Sequence, residues 1–166
     1  MRFINQLDKI NEIKELIPRV ENASNTLIDQ INEQRDLISA ENGELELNIE
    51  TFNTVDIIKE CNEIISKHPS VDNIMIKIDD SIESIEMQSC KITLKRILMN
   101  MLKNALEASK DNQTVTTGCK LHNNKVTFWV HNETYIPEDI QMQIFQRSFT
   151  TKGKGRGLGT YSVKLL

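Results

Sequence analysis

The chain has 166 residues, 20 Lys plus Arg against 24 Asp plus Glu, a net charge of −4 and 39% apolar residues. The acidic balance argues against a nucleic-acid partner, and no run of about 18 apolar residues is present to span a membrane. The first residues, MRFINQLDKINEIKELI, lack the apolar stretch of a signal peptide. Cys61, Cys90 and Cys119 form no CxxC pair and read as free thiols in a reducing compartment, which places the chain in the cytoplasm. There is no HExxH and no Cys/His cluster, so a structural zinc is not expected. A chain of this size buries roughly 70% of its unfolded surface, enough for one core with a helical appendage.

Phe3, Leu7, Ile10, Ile13, Ile17 and Val20 recur at steps of three and four, which is a helical stripe. A polar break follows at Glu21–Asn25, and a second stripe runs through Leu27, Ile28, Ile31, Leu37 and Ile38. The expectation is an αα-hairpin over residues 3–40, within an N-terminal unit 1–42. One hairpin cannot cover two stripes, so a second copy is expected to pack on it. Residues 43–166 form the second unit. It opens at Asn42-Gly43 with an extended piece, Glu44–Ile49. Asn53 or Thr54 then caps a helix over Val55–Lys67, with Asp56 in its first turn. Asn73–Ile78 alternates as a strand, and Ile85–Met87 forms another.

Ile92–Ser109 is the strongest helix, with Leu94, Ile97, Leu98, Met101, Leu102 and Ala105 on one face. Residues 114–121 and 125–131 make a hairpin about His122-Asn123-Asn124. Pro137, followed by Glu138 and Asp139, starts a helix reaching about Gln146. A glycine-rich basic loop follows, and a last helix begins near Gly159. A helical N-terminus followed by mixed helices and strands gives an α+β fold.

Two features carry chemistry. Asn100, Asn104 and Glu107 share a narrow strip beside the apolar face of the helix 92–109. Asn is a poor helix former and an uneasy neighbour for a core. Amide and carboxylate oxygens so placed suit a hydrated Mg²⁺ and phosphates; a solvated strip is the plainer alternative. The second feature is Thr150–Thr160, with glycines at 153, 155, 157 and 159 and the cations Lys152, Lys154 and Arg156. Free backbone N–H groups beside a helix start suit phosphate, although a flexible turn has a similar composition.

Together the two features resemble a known family. Asn100–Ala108, NMLKNALEA, resembles the N box of the GHKL ATPases. Ile144–Lys152, IFQRSFTTK, resembles the F box of sensor histidine kinases, and Gly155–Thr160, GRGLGT, their second glycine box. The resemblance spans about residues 25–166. It implies a Bergerat-type α/β sandwich after the helical hairpin, with ATP between the sheet, the N-box helix and a lid. It also implies that Asn104 ligates Mg²⁺, that Asn100 stands where gyrase-type members carry a Glu base, and that Lys152, Gly155, Arg156, Gly157, Leu158 and Gly159 surround the phosphates. An amide at position 100 cannot take a proton near neutral pH, which favours phosphoryl transfer over hydrolysis.

Three departures accompany the resemblance. The adenine box, Asp-x-Gly-x-Gly before Ile-Pro, reads His131-Asn132-Glu133-Thr134-Tyr135 before Ile136-Pro137. His131 then stands at the adenine-reading Asp, with Asn132 able to share the role and Tyr135 able to crowd the pocket. No histidine precedes His68, so a phosphoacceptor is expected outside these residues, and the chain alone is not expected to autophosphorylate. The family's last strands are expected to lie beyond Leu166. The resulting expectation is the ATP-binding catalytic portion of a two-component histidine kinase, homodimeric, using ATP and Mg²⁺, partnered by a response regulator and without direct membrane contact. The alternative is a non-catalytic, pseudokinase-like dimerisation or partner-binding module.

Overall fold

The computed structural model describes residues 2–68, 71, 73–146 and 159–166. The chain divides into two compact units, Met1–Leu45 and Glu46–Leu166, close to the boundary read from Asn42-Gly43.

The first unit departs from the expected hairpin. It is one uninterrupted helix, α1, over Arg2–Glu41, which passes through both Pro18 and the polar segment 21–25. Asn and Ser cost a helix only about 0.5 kcal/mol each relative to Ala, and no glycine is present to free the backbone, so the polar segment does not terminate the helix. Proline at position 18 gives no N–H to the carbonyl one turn earlier, a cost of about 3 kcal/mol that the long flanking turns absorb. Ile13, Leu16, Ile17, Val20, Leu27, Ile28, Ile31 and Ile38 are each more than half exposed, whereas Leu37 is buried.

The second unit begins with β1 (Glu50–Asn53), which pairs antiparallel with β3 (Glu86–Ser89). The strand thus falls just after the extended piece expected at 44–49. Helix α2 (Thr54–Ile65) follows, with the Asn53 side chain accepting from the Val55 N–H as its N-cap. Buried Thr54 donates to the Glu83 carbonyl and accepts from the Ile85 N–H, which fastens the start of α2 to the segment leading into β3.

The main sheet has the order β2-β4-β5, from β2 (Met75–Ile78), β4 (Thr114–His122) and β5 (Lys125–His131). β2 runs parallel to β4, and β4 antiparallel to β5. The connection between β2 and β4 carries α3 (Lys91–Ala108). Asn123 and Asn124 form the two-residue hairpin turn with φ of 49° and 58°, a left-handed geometry that Asn tolerates. One sheet face carries Val115, Thr117 and Cys119, with Val130 opposite Thr117 and Phe128 opposite Cys119 on β5. Ile57, Ile58, Cys61 and Ile65 of α2 and Leu98, Leu102, Ala105 and Leu106 of α3 pack over that face. Each fully buried aliphatic side chain contributes about 1.5–3 kcal/mol. The opposite face carries Gly118 and Trp129 in register, and a Cβ at Gly118 would stand 2.4 Å from the indole ring. All three cysteines are free, as expected. Burial pushes the Cys61 thiol up to about 11.

After β5 the chain forms a short helix, α4 (Glu138–Gln141), behind Pro137, and turns rather than helix continue to Gln146. α5 (Gly159–Leu165) is the last element.

Candidate nucleotide site

α3 places the two N-box asparagines. Its apolar face goes to the core, so Asn100 and Asn104, one turn apart, lie at the border of that face. Asn100 is buried, and its amide donates to Ser162 Oγ at 2.8 Å. Ser162, also buried, donates in turn to the Gly159 carbonyl at 3.0 Å. A Cβ at Gly159 would lie 3.8 Å from Asn104 Nδ2 and 4.0 Å from Asn100 Cγ. The first turn of α5 therefore sits directly against both asparagines, at a distance where a Cβ would make ordinary van der Waals contact. At Asn100 the strip beside the core is packed and hydrogen-bonded rather than solvated. Glu107, its third member, is exposed.

Asn104 is partly buried, and among the described residues no hydrogen bond engages its side chain. Also among the described residues, no group of three or more His, Cys, Asp or Glu could hold a metal ion. A hydrated Mg²⁺ takes few protein ligands, and the uncommitted amide oxygen of Asn104 at the α3–α5 junction fits one such ligand.

The segment after β5 is fastened to the same helix. Thr134 Oγ1 donates to the Ala108 carbonyl at the end of α3, at 2.7 Å. Glu133 accepts from the Thr114 N–H at the start of β4, at 3.2 Å. His131 is exposed and pairs with Thr116. Asn132 is partly buried, and its amide nitrogen is buried without a hydrogen-bond partner among the described residues. Tyr135 stands 71% exposed, so its ring fills no buried pocket. Lys152, Gly155, Arg156, Gly157 and Leu158 lie outside the described residues, as does Phe149; Phe145 is exposed. Neither Ser162 nor Thr134 was marked by sequence. A small polar residue inside a short helix and a threonine in a loop give no periodic signal, and only the fold shows what they hold.

Residues 89–166 match the family described as histidine kinase-, DNA gyrase B-, and HSP90-like ATPase. Sporulation kinase A of Bacillus subtilis (strain 168) is 30% identical over 111 residues, which is 66% of this chain and 18% of that protein. The catalytic domain of histidine kinase ThkA is 27% identical with a TM-score of 0.64, over 71% of this chain and 78% of that one. Residues 89–166 carry a GHKL-type ATPase domain, similar in sequence and fold to a histidine kinase catalytic domain. Its fold also matches ThkA in complex with the response regulator protein TrrA, at 24% identity and a TM-score of 0.61, over 77% of this chain and 38% of that one. Full-length ShkA in complex with AMPPNP matches at 20% identity and a TM-score of 0.74, over 84% and 30% of the two chains. These kinases share the α+β architecture expected from the GHKL resemblance, and no observation favours the non-catalytic alternative. The chain spans about 18% of the length of sporulation kinase A. Among the described residues, no helix is long and apolar enough to cross a membrane.

Proposed function

We propose that this GHKL domain is the catalytic portion of a two-component sensor histidine kinase. It binds Mg-ATP and delivers the terminal phosphoryl group to a histidine outside these residues. The observation that supports the reading is that Ser162 ties Asn100 to Gly159, with Asn104 beside Gly159. Asn104 supplies an amide oxygen to the cation, and the glycine box, with Lys152 and Arg156, supplies backbone donors and positive charge to the phosphates. Bound Mg²⁺ neutralises phosphate charge and orients the transferred group. Asn100 spends its amide on Ser162 and has no proton-accepting capacity near neutral pH, so the site lacks at that position the base that would activate water. Transfer to a protein side chain suits such a site better than hydrolysis does.

The exposed stripe of α1 supports a homodimer through that helix. A response regulator would receive the phosphoryl group, and the reaction would take place in the cytoplasm. No histidine precedes His68, in the turn after α2, so autophosphorylation would need a histidine beyond this chain. Calorimetric titration with Mg-ATP tests the site. Asn104→Ala is expected to weaken Mg-dependent binding about ten-fold or more with thermal unfolding unchanged. Unchanged Mg-ATP affinity in that variant would overturn the role of Asn104.

A further inference from the structure

The geometry points to Asn132, rather than His131, as the residue that reads the nucleotide base, and to a site that accepts both adenine and guanine nucleotides. The inference rests on the nucleotide-site reading above and deepens it.

Successive side chains of a strand point to opposite faces. Val126, Phe128 and Val130 pack on the core, on the face covered by α3. Thr127 and Trp129 have the other parity, and Trp129 lies against Gly118 on the far face. His131 shares the parity of Trp129 and is exposed, paired with Thr116. It therefore belongs to the side of the sheet away from Asn100 and Asn104. Asn132 follows directly after the end of β5, and continuing the alternation brings it to the parity of Val130, on the α3 side. The Thr134 bond to Ala108 holds the following loop against the end of α3. Counting back from Ile136-Pro137 puts His131 in the adenine-reading place, whereas the alternation of the strand puts Asn132 there.

The Asn132 amide nitrogen is buried without a partner among the described residues. Such a donor is uncommon in a folded protein and is explained by a group that pairs with it when bound. A carboxylate can only accept, which suits the amino group of adenine and repels the carbonyl oxygen that guanine presents at the same place. An amide offers both a carbonyl and an NH₂, so it can accept from adenine or donate to guanine. The orphan donor at Asn132 matches the second case as well as a ring-nitrogen acceptor of adenine.

The test is calorimetric titration of the full chain with Mg-ATP and with Mg-GTP. The unmodified chain is expected to bind both, with dissociation constants within about five-fold of each other, because one neutral hydrogen bond is exchanged for another. Asn132→Asp should shift the ratio about ten-fold or more toward ATP. His131→Ala should leave the ratio where it was. A preference for ATP above about 100-fold in the unmodified chain would overturn the inference even if the Asp variant failed to fold. A ratio that follows His131→Ala but not Asn132→Asp would also overturn it, while leaving the nucleotide site standing. Binding of neither nucleotide by the folded, unmodified chain would overturn the nucleotide-site reading itself, and the inference with it.

Discussion

The two longest helices treat their apolar residues in opposite ways. α3 buries Leu98, Leu102, Ala105 and Leu106 against α2 and the sheet, and its polar border meets α5 through the Asn100–Ser162 hydrogen bond. α1 is more than twice as long, yet Ile13, Ile17, Val20, Leu27, Ile28 and Ile31 all stand more than half exposed. Helical periodicity alone does not distinguish a core helix from one waiting for a partner. What separates them is whether strands of matching parity exist to receive the stripe. Residues 46–166 supply those strands for α3.

The contrast predicts very different responses to truncation. Leu102→Ala removes a fully buried side chain and should lower the stability of the second unit by about 2–5 kcal/mol in urea unfolding. Leu27→Ala on α1 should change it by no more than about 0.5 kcal/mol. Similar losses at both positions would break the comparison.

A second test addresses what covers α1. Ile17 and Ile28 are 11 positions apart, about 20° round the helix, and so lie on one face. Ile17→Glu combined with Ile28→Glu should convert a dimer into a monomer in light scattering at tens of micromolar, because two like charges in an apolar seam are not compensated. A strict monomer before substitution would show that the stripe is not closed by a second copy.

The smallest expected effect lies between α2 and α3. Glu60 accepts a hydrogen bond from Lys95 and lies 3.4 Å from Lys91, which holds its carboxyl below the ordinary 4.5. The groups are substantially exposed, so the pair is worth only about 0.5 kcal/mol. A depressed folded pKa means that this stability is present above the unfolded value and lost as pH falls through the folded one. The deficit of Glu60→Gln should therefore be full at pH 7 and vanish in acid below pH 4.5, as followed by thermal unfolding.

The parts legible in the sequence share strong local signals. α3 has an unbroken helical period, the Asn53 cap sits before an apolar run, and Asn123-Asn124 leaves the hairpin little choice of turn. The N box is legible because two asparagines one turn apart are unusual beside a core. The break expected in α1 failed because Asn22, Ser24 and Asn25 only weaken a helix, by tenths of a kcal/mol each, and do not end one. β1 lies just after the extended piece read at Glu44–Ile49, where pairing with β3 fixes its register. The hydrogen bond between Asn100 and Ser162 joins positions 62 residues apart, and no local pattern encodes it. The adenine box is the instructive case, since the Ile-Pro landmark and the parity of β5 select different residues.

The central claim is that a nucleotide is held where α3, the end of β5 and α5 meet. Amide hydrogen exchange with and without Mg-ATP tests it most directly. The account predicts slower exchange on addition of Mg-ATP in residues 98–106, 131–136 and 159–163, with α1 and the β1–β3 pair unchanged. Protection confined to α1, or spread evenly over the second unit with no excess at those three segments, would contradict it.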